Sequence, residues 1–188
     1  MADITDIYQR ATDAFGRRLD LVTDAHWALP TPCTEWSVRD LVAHVLDEQL
    51  WIPPLVEGQT IDQVGDRFAG DQIGADAVRA WSDARRDVVS VLAVDGAAAR
   101  TVSLSFGPAT AADYVEQVTA DTFVHTWDLA RAVGGDERLD AADVEWTIGV
   151  LAPVVERFRA AGVFGPLRDV APDADAQARL LALVGRDP

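Results

Sequence analysis

Residues 114–132 read YVEQVTADTFVHTWDLARA, and their spacing decides the fold class. At about 100° per residue, Tyr114, Val118, Leu129 and Ala132 share one face of a helix. Asp121 and His125 fall inside that apolar stripe, not opposite it. Residues four apart stack one turn above the other, so both side chains reach the same volume. An acid and an imidazole are costly to bury there unless something satisfies them. Two readings compete: a structural hydrogen-bonded pair, or two ligands of a metal ion.

Working outward, this helix is expected to begin near Pro108, a favourable early-turn residue, and to stop at Gly134-Gly135. Upstream, residues 75–94 carry a helical pattern, and residues 101–106 alternate strictly, as a short strand does, with no clear partner. Residues 57–74 form a polar, glycine-containing loop. Ser37, with Asp40 three positions on, opens a helix over Val38, Leu41, Val42, Val45 and Leu46 that is expected to end before Pro53-Pro54. A turn-rich connector, residues 29–36, separates it from a first helix over residues 3–25. Downstream, a helix spans residues 141–161 with Pro153 as a kink, and the tail from Gly162 holds a loop and a short helix at 174–184. Four or five long helices with at most one small β element predict an all-α bundle, residues 1–188 forming a single domain with a C-terminal extension over 162–188.

His44 adds to the Asp121 and His125 pair. It lies at the edge of its helix's apolar stripe, with Leu41 one turn before and Glu48 one turn after. By itself such a histidine is an ordinary boundary residue. Yet the chain has only three histidines, and two of them fall on core-facing helix positions beside a carboxylate. Bundle interiors are where metal sites are built from facing helices. Two imidazoles and one carboxylate leave coordination positions open, which is the catalytic pattern rather than the structural one.

Composition limits the alternatives. The formal net charge is −15, and all 16 basic residues are arginine. Such a surface repels phosphate backbones and anionic lipid, so neither a nucleic-acid nor a membrane-surface partner is expected. The single cysteine, Cys33, rules out an intrachain disulfide and any Cys-cluster metal site, in keeping with a reducing cytoplasm. No signal peptide or membrane span is legible, so a cytoplasmic location is expected. Arginine-only, alanine-rich usage suggests a GC-rich source genome. Cys33 reads as a reactive thiol or, more simply, a small packed residue in a turn. His26 is read as contacting helix-terminal carbonyls. Glu48 reads as a solvated helix acid, with a further ligand or base as the sharper alternative. Asp128 and Arg131 form an ion pair or orient a ligand histidine from behind. Trp36 and Trp127 read as packing anchors. The apolar run Trp51-Ile52-Pro53-Pro54-Leu55 suits a homodimer contact or a pocket rim.

Two strings resemble a known family. Pro30-Thr31-Pro32-Cys33-Thr34-Glu35-Trp36-Ser37-Val38-Arg39-Asp40-Leu41-Val42-Ala43-His44 is similar to the N-terminal motif of the mycothiol-dependent maleylpyruvate isomerase metal-binding domain. Asp121-Thr122-Phe123-Val124-His125-Thr126-Trp127-Asp128-Leu129-Ala130-Arg131-Ala132 resembles that family's second motif. The tail from Val163 is similar to an actinobacterial subfamily usually called TIGR-type metal-binding proteins. The resemblance implies a DinB-like four-helix bundle with a metal held by His44, Asp121 and His125. Glu48, Asp128 and Arg131 stand as candidate supporting residues. The isomerase carries glutamate at the place of Asp121, and also a C-terminal domain that 188 residues are expected to be too few to contain. The activity implied is a mycothiol-linked thiol transferase or isomerase acting on a small electrophile. Zinc is the first choice of metal, with nickel, iron, cobalt or manganese as alternatives. A non-catalytic metal sensor, carrier or stress-related protein is the competing expectation.

Overall fold

The computed structural model describes residues 3–188. The chain divides into two compact units, residues 1–135 and 136–188. The extension expected from Gly162 lies inside the second. Among the described residues the fold is helical apart from one two-stranded hairpin.

In the first unit, helix α1 (Ile4–Leu19) is capped by Asp3, which accepts from Thr5 N at 2.9 Å, and buries Ile7, Tyr8, Ala11, Phe15 and Leu19 along one stripe. It stops short of the expected residue 25. Asp20 ends it as C-cap, its backbone N–H bonded to Gly16 O, and the chain turns away with Leu21 half exposed. Helix α2 (Val38–Val56) opens on the expected capping box, with Ser37 N donating to Asp40 Oδ2 at 2.9 Å. It does not end before the prolines: Pro53 and Pro54 form its last turn. Packing outweighs the missing N–H groups there, because Ile52, Leu55 and Val56 are buried against Tyr8, Val88 and Val115. Of the run from Trp51 to Leu55, Ile52, Pro54 and Leu55 are buried while Trp51 and Pro53 are half-buried, and Trp51 packs edge-on to Phe68 at 5.9 Å.

The polar segment that follows holds one capped helical turn, α3 (Ile61–Val64), before α4 (Ala77–Leu92). Strand β1 (Thr101–Leu104) does have a partner, β2 (Gly107–Thr110), paired antiparallel from Thr101↔Thr110 to Leu104↔Gly107. Gly107 turns the chain at φ +119°, and Pro108 sits in a strand, not at the head of a helix. A two-stranded hairpin has only edges, where a residue without an N–H is tolerated. Helix α5 (Ala111–Val133) then starts from Thr110, which accepts from Asp113 N at 3.1 Å, and ends at left-handed Gly134.

The four long helices close a ring: α1 packs on α4 and α5, and α2 packs on the same two. Trp81 pins α4 to α1, its ring 4.7 Å from Phe15 and its Nε1 donating to Thr12 O at 3.2 Å. Gly16 makes room for it, since a Cβ there would stand 3.2 Å from Trp81 Nε1.

In the second unit, α6 (Ala141–Leu151) packs on α8 (Ala176–Leu183). The single helix expected to Ala161 is broken, not kinked, at Pro153, and α7 (Val155–Ala160) restarts beyond it. Gln177 accepts from Leu139 N at 2.9 Å and donates to Glu137 O at 3.0 Å. No described helix is long and apolar enough to cross a membrane.

Candidate metal centre

Ring closure brings α2 against α5, and with it His44 against the pair on α5. His44 Nε2 stands 3.2 Å from Asp121 Oδ2, and His125 Nε2 stands 3.4 Å from Asp121 Oδ1. One carboxylate thus faces two imidazoles, one through each oxygen. The rings meet edge to face with centroids 5.2 Å apart, and the three donor atoms lie within 4.8 Å of one another. Side-chain exposure falls from 33% at His44 and 25% at Asp121 to 7% at His125, so the cluster opens to solvent on the His44 side only.

Behind it lies a second layer. Asp128, wholly buried, places Oδ2 3.0 Å from His125 Nδ1. Cys33 Sγ donates to the same oxygen at 3.2 Å. Trp36 lies nearly parallel to the His125 ring, centroids 5.7 Å apart, and tilted against His44 at 4.9 Å. Arg131 stacks over Trp127 with its guanidinium 4.3 Å from the ring centroid.

Of the residues singled out in the sequence, His44, Asp121, His125 and Asp128 are brought together. His26 does not reach helix-terminal carbonyls; its Nδ1 accepts from Thr23 N at 3.2 Å within a turn. Cys33 and Trp36 belong to the cluster, which their spacing did not reveal. Both sit in an irregular loop more than eighty positions before His125, where no periodicity reports on contact. The only available signal was their place in the string leading to His44.

Electrostatics match a site that wants positive charge. Burial works to raise the Asp121 carboxyl, but the His125 charge and hydrogen bonds from both imidazoles hold it well below the usual carboxylate range. Burial works to depress His125, yet the Asp121 charge and contacts with Asp121, Asp128 and Cys33 push it well above the ordinary histidine value. Glu48 is not a simple solvated acid. Burial and then the neighbouring Asp121 charge push it up to about 7. The metal-free fold therefore binds that proton more tightly than the unfolded chain. Its contribution is complete below the ordinary value of 4.5 and disappears as pH rises through about 7. Glu48→Gln should accordingly stabilise the metal-free protein by up to about 3 kcal/mol near pH 8 and change little below pH 4.5. Urea unfolding at the two pH values measures the difference.

A helical ring with two histidines and a carboxylate facing one another between α2 and α5 defines the class. Residues 8–130 match the mycothiol maleylpyruvate isomerase N-terminal domain, and the chain belongs to that family. Two uncharacterized proteins of Mycobacterium tuberculosis, from strains H37Rv and CDC 1551, are each 32% identical over 161 residues, covering 82% of this chain and 81% of theirs. The fold is similar to a crystal structure of a histidine-to-alanine mutant of the mycothiol-dependent maleylpyruvate isomerase. That match has TM-score 0.65 and 19% identity, and covers 87% of this chain and 72% of that one. The share of this chain exceeds its first compact unit, so the likeness in fold runs past residue 135.

Proposed function

We propose that His44, Asp121 and His125 hold one divalent cation, zinc in the first instance. On this reading the protein is a thiol-dependent transferase or isomerase acting on a small electrophile. The observation that carries the reading is the single carboxylate set between two imidazole Nε2 atoms. A structural pair on one helix needs only one histidine. Imidazole nitrogen with carboxylate oxygen is a donor set that suits zinc and, with positions left over, admits a further ligand.

When bound, such a cation would supply Lewis acidity that favours the thiolate form of a small thiol. Asp121 would neutralise part of its charge, and the two imidazoles would present Nε2. Asp128, accepting a hydrogen bond from His125 Nδ1–H, would favour the tautomer that leaves Nε2 free for a cation. Trp36 stands against both imidazoles, stacked on His125 and tilted to His44. Glu48, one turn after His44, is the neighbouring carboxylate that would take up the thiol proton. No protein side chain acts as nucleophile in this scheme. Membership of the mycothiol maleylpyruvate isomerase family makes mycothiol the first thiol to try.

The test is turnover of a maleylpyruvate-type electrophile that requires both the thiol and the metal. Loss of turnover on chelation and its return with zinc support the proposal. One bound equivalent without thiol-dependent turnover would leave a sensor or carrier as the better description. Less than about a tenth of an equivalent after gentle purification and zinc addition would reduce the cluster to a structural pair.

A further inference from the structure

We propose that Cys33 is a positioning residue of this centre, holding His125 in its working orientation through Asp128. The inference rests on the metal reading above and deepens it. Cys33 Sγ stands 3.2 Å from Asp128 Oδ2 and 3.7 Å from His125 Nδ1, while Asp128 Oδ2 and His125 Nδ1 are 3.0 Å apart. The thiol and the imidazole N–H thus converge on one carboxylate oxygen.

That oxygen belongs to a side chain with no exposed surface. A buried carboxylate must be matched by donors, and each donor also limits its rotation. Fixing Asp128 fixes the ring it accepts from. With Nδ1–H turned to Asp128, Nε2 is turned to Asp121 and His44 on the opposite edge. The thiol acts one step further out, on the oxygen that does the orienting.

The sulfur is itself held in place. Thr31 Oγ1 accepts from Cys33 N at 3.1 Å, Thr31 N donates to Trp36 O at 3.0 Å, and Trp36 N donates to Cys33 O at 3.0 Å. Glu35 completes the turn in the left-handed region at φ +71°. One closed loop therefore delivers two contacts to one imidazole, the Cys33 thiol beside Nδ1 and the Trp36 ring across its face. As the chain's only cysteine, Cys33 is also the only residue on which a thiol reagent can act.

Cys33, His125 and Asp128 also lie close enough together to hold a cation themselves. The geometry favours positioning: the spacings are those of hydrogen-bonded partners, and the carboxylate is shut off from solvent. In that case the sulfur never touches the metal.

The experiment compares the full chain with Cys33→Ser, Cys33→Ala, Asp128→Asn and the double variant Cys33→Ala/Asp128→Asn. Zinc affinity is read by competition with a chelator. Cys33→Ser keeps a donor and should stay within about twofold of wild type, Cys33→Ala should lose about 3–10-fold, and Asp128→Asn about 10–100-fold. Adding Cys33→Ala to Asp128→Asn should cost nothing further, because the thiol acts through that carboxylate. Equal affinities for Cys33→Ala and wild type would overturn the proposal, as would a full Cys33→Ala loss persisting beside Asp128→Asn. A thiolate-to-metal absorption band on loading with cobalt(II) would overturn it too, by making the sulfur a ligand. A metal-independent measurement separates this inference from the reading beneath it. The His125 Nδ1–H resonance of the metal-free protein should be kept in Cys33→Ser and displaced in Cys33→Ala. If wild type takes up no zinc, the metal reading fails, and an undisturbed resonance in Cys33→Ala would sink the positioning role separately.

Discussion

Replacing His44 with alanine should lower zinc affinity by at least about a hundredfold, more than losing a supporting residue costs. It should do so with little loss of stability in the metal-free state. The contrast follows from where the residue sits. His44 is one-third exposed, so its truncation leaves no cavity, and Asp121 keeps its contact with His125. Losing the His44 hydrogen bond to Asp121 should cost on the order of 1 kcal/mol. His125→Ala is a poorer probe of the same idea. It strips a partner from both Asp121 and the wholly buried Asp128, so lost affinity and lost folding arrive together. Calorimetric zinc titration of His44→Ala, with melting in the presence of chelator as control, measures both quantities. Unchanged affinity would remove His44 from the ligand set.

Trp81→Ala should destabilise the protein by about 3–5 kcal/mol, the range for truncating a large buried aromatic. Three interactions disappear at once: the packing on Phe15, the Nε1 hydrogen bond to Thr12 O, and the filling of the space above Gly16. Because α4 reaches α1 through this ring, the loss falls on ring closure, which also sets α2 against α5. Trp81→Phe keeps the apolar body and gives up the donor, for about 1 kcal/mol. Urea unfolding at fixed pH reads both variants. A Trp81→Ala cost under about 1 kcal/mol would mean that α1 and α4 are held elsewhere.

These effects trace back unequally to the sequence. The α5 stripe was legible because helical periodicity maps directly onto one face, and Asp121 and His125 stand in it whatever lies opposite. His44 was legible because a capping box set the phase of α2. What escaped depends on contacts that no local pattern encodes. Pro53 and Pro54 signal a helix end, yet burial of Ile52, Leu55 and Val56 carries the helix through them. Pro108 reads as a helix start, but hairpin register places it in a strand. Glu48 looks like any surface acid until Asp121 is placed nearby. Cys33 and Trp36 reach His125 only because a loop closed by Thr31 folds back across α5.

The central claim is that side chains from two helices converge on one cation. Anomalous scattering from zinc-loaded crystals tests it most directly. A single peak in bonding contact with His44, Asp121 and His125 is the predicted result. A peak elsewhere, or none from crystals grown with excess zinc, would contradict it.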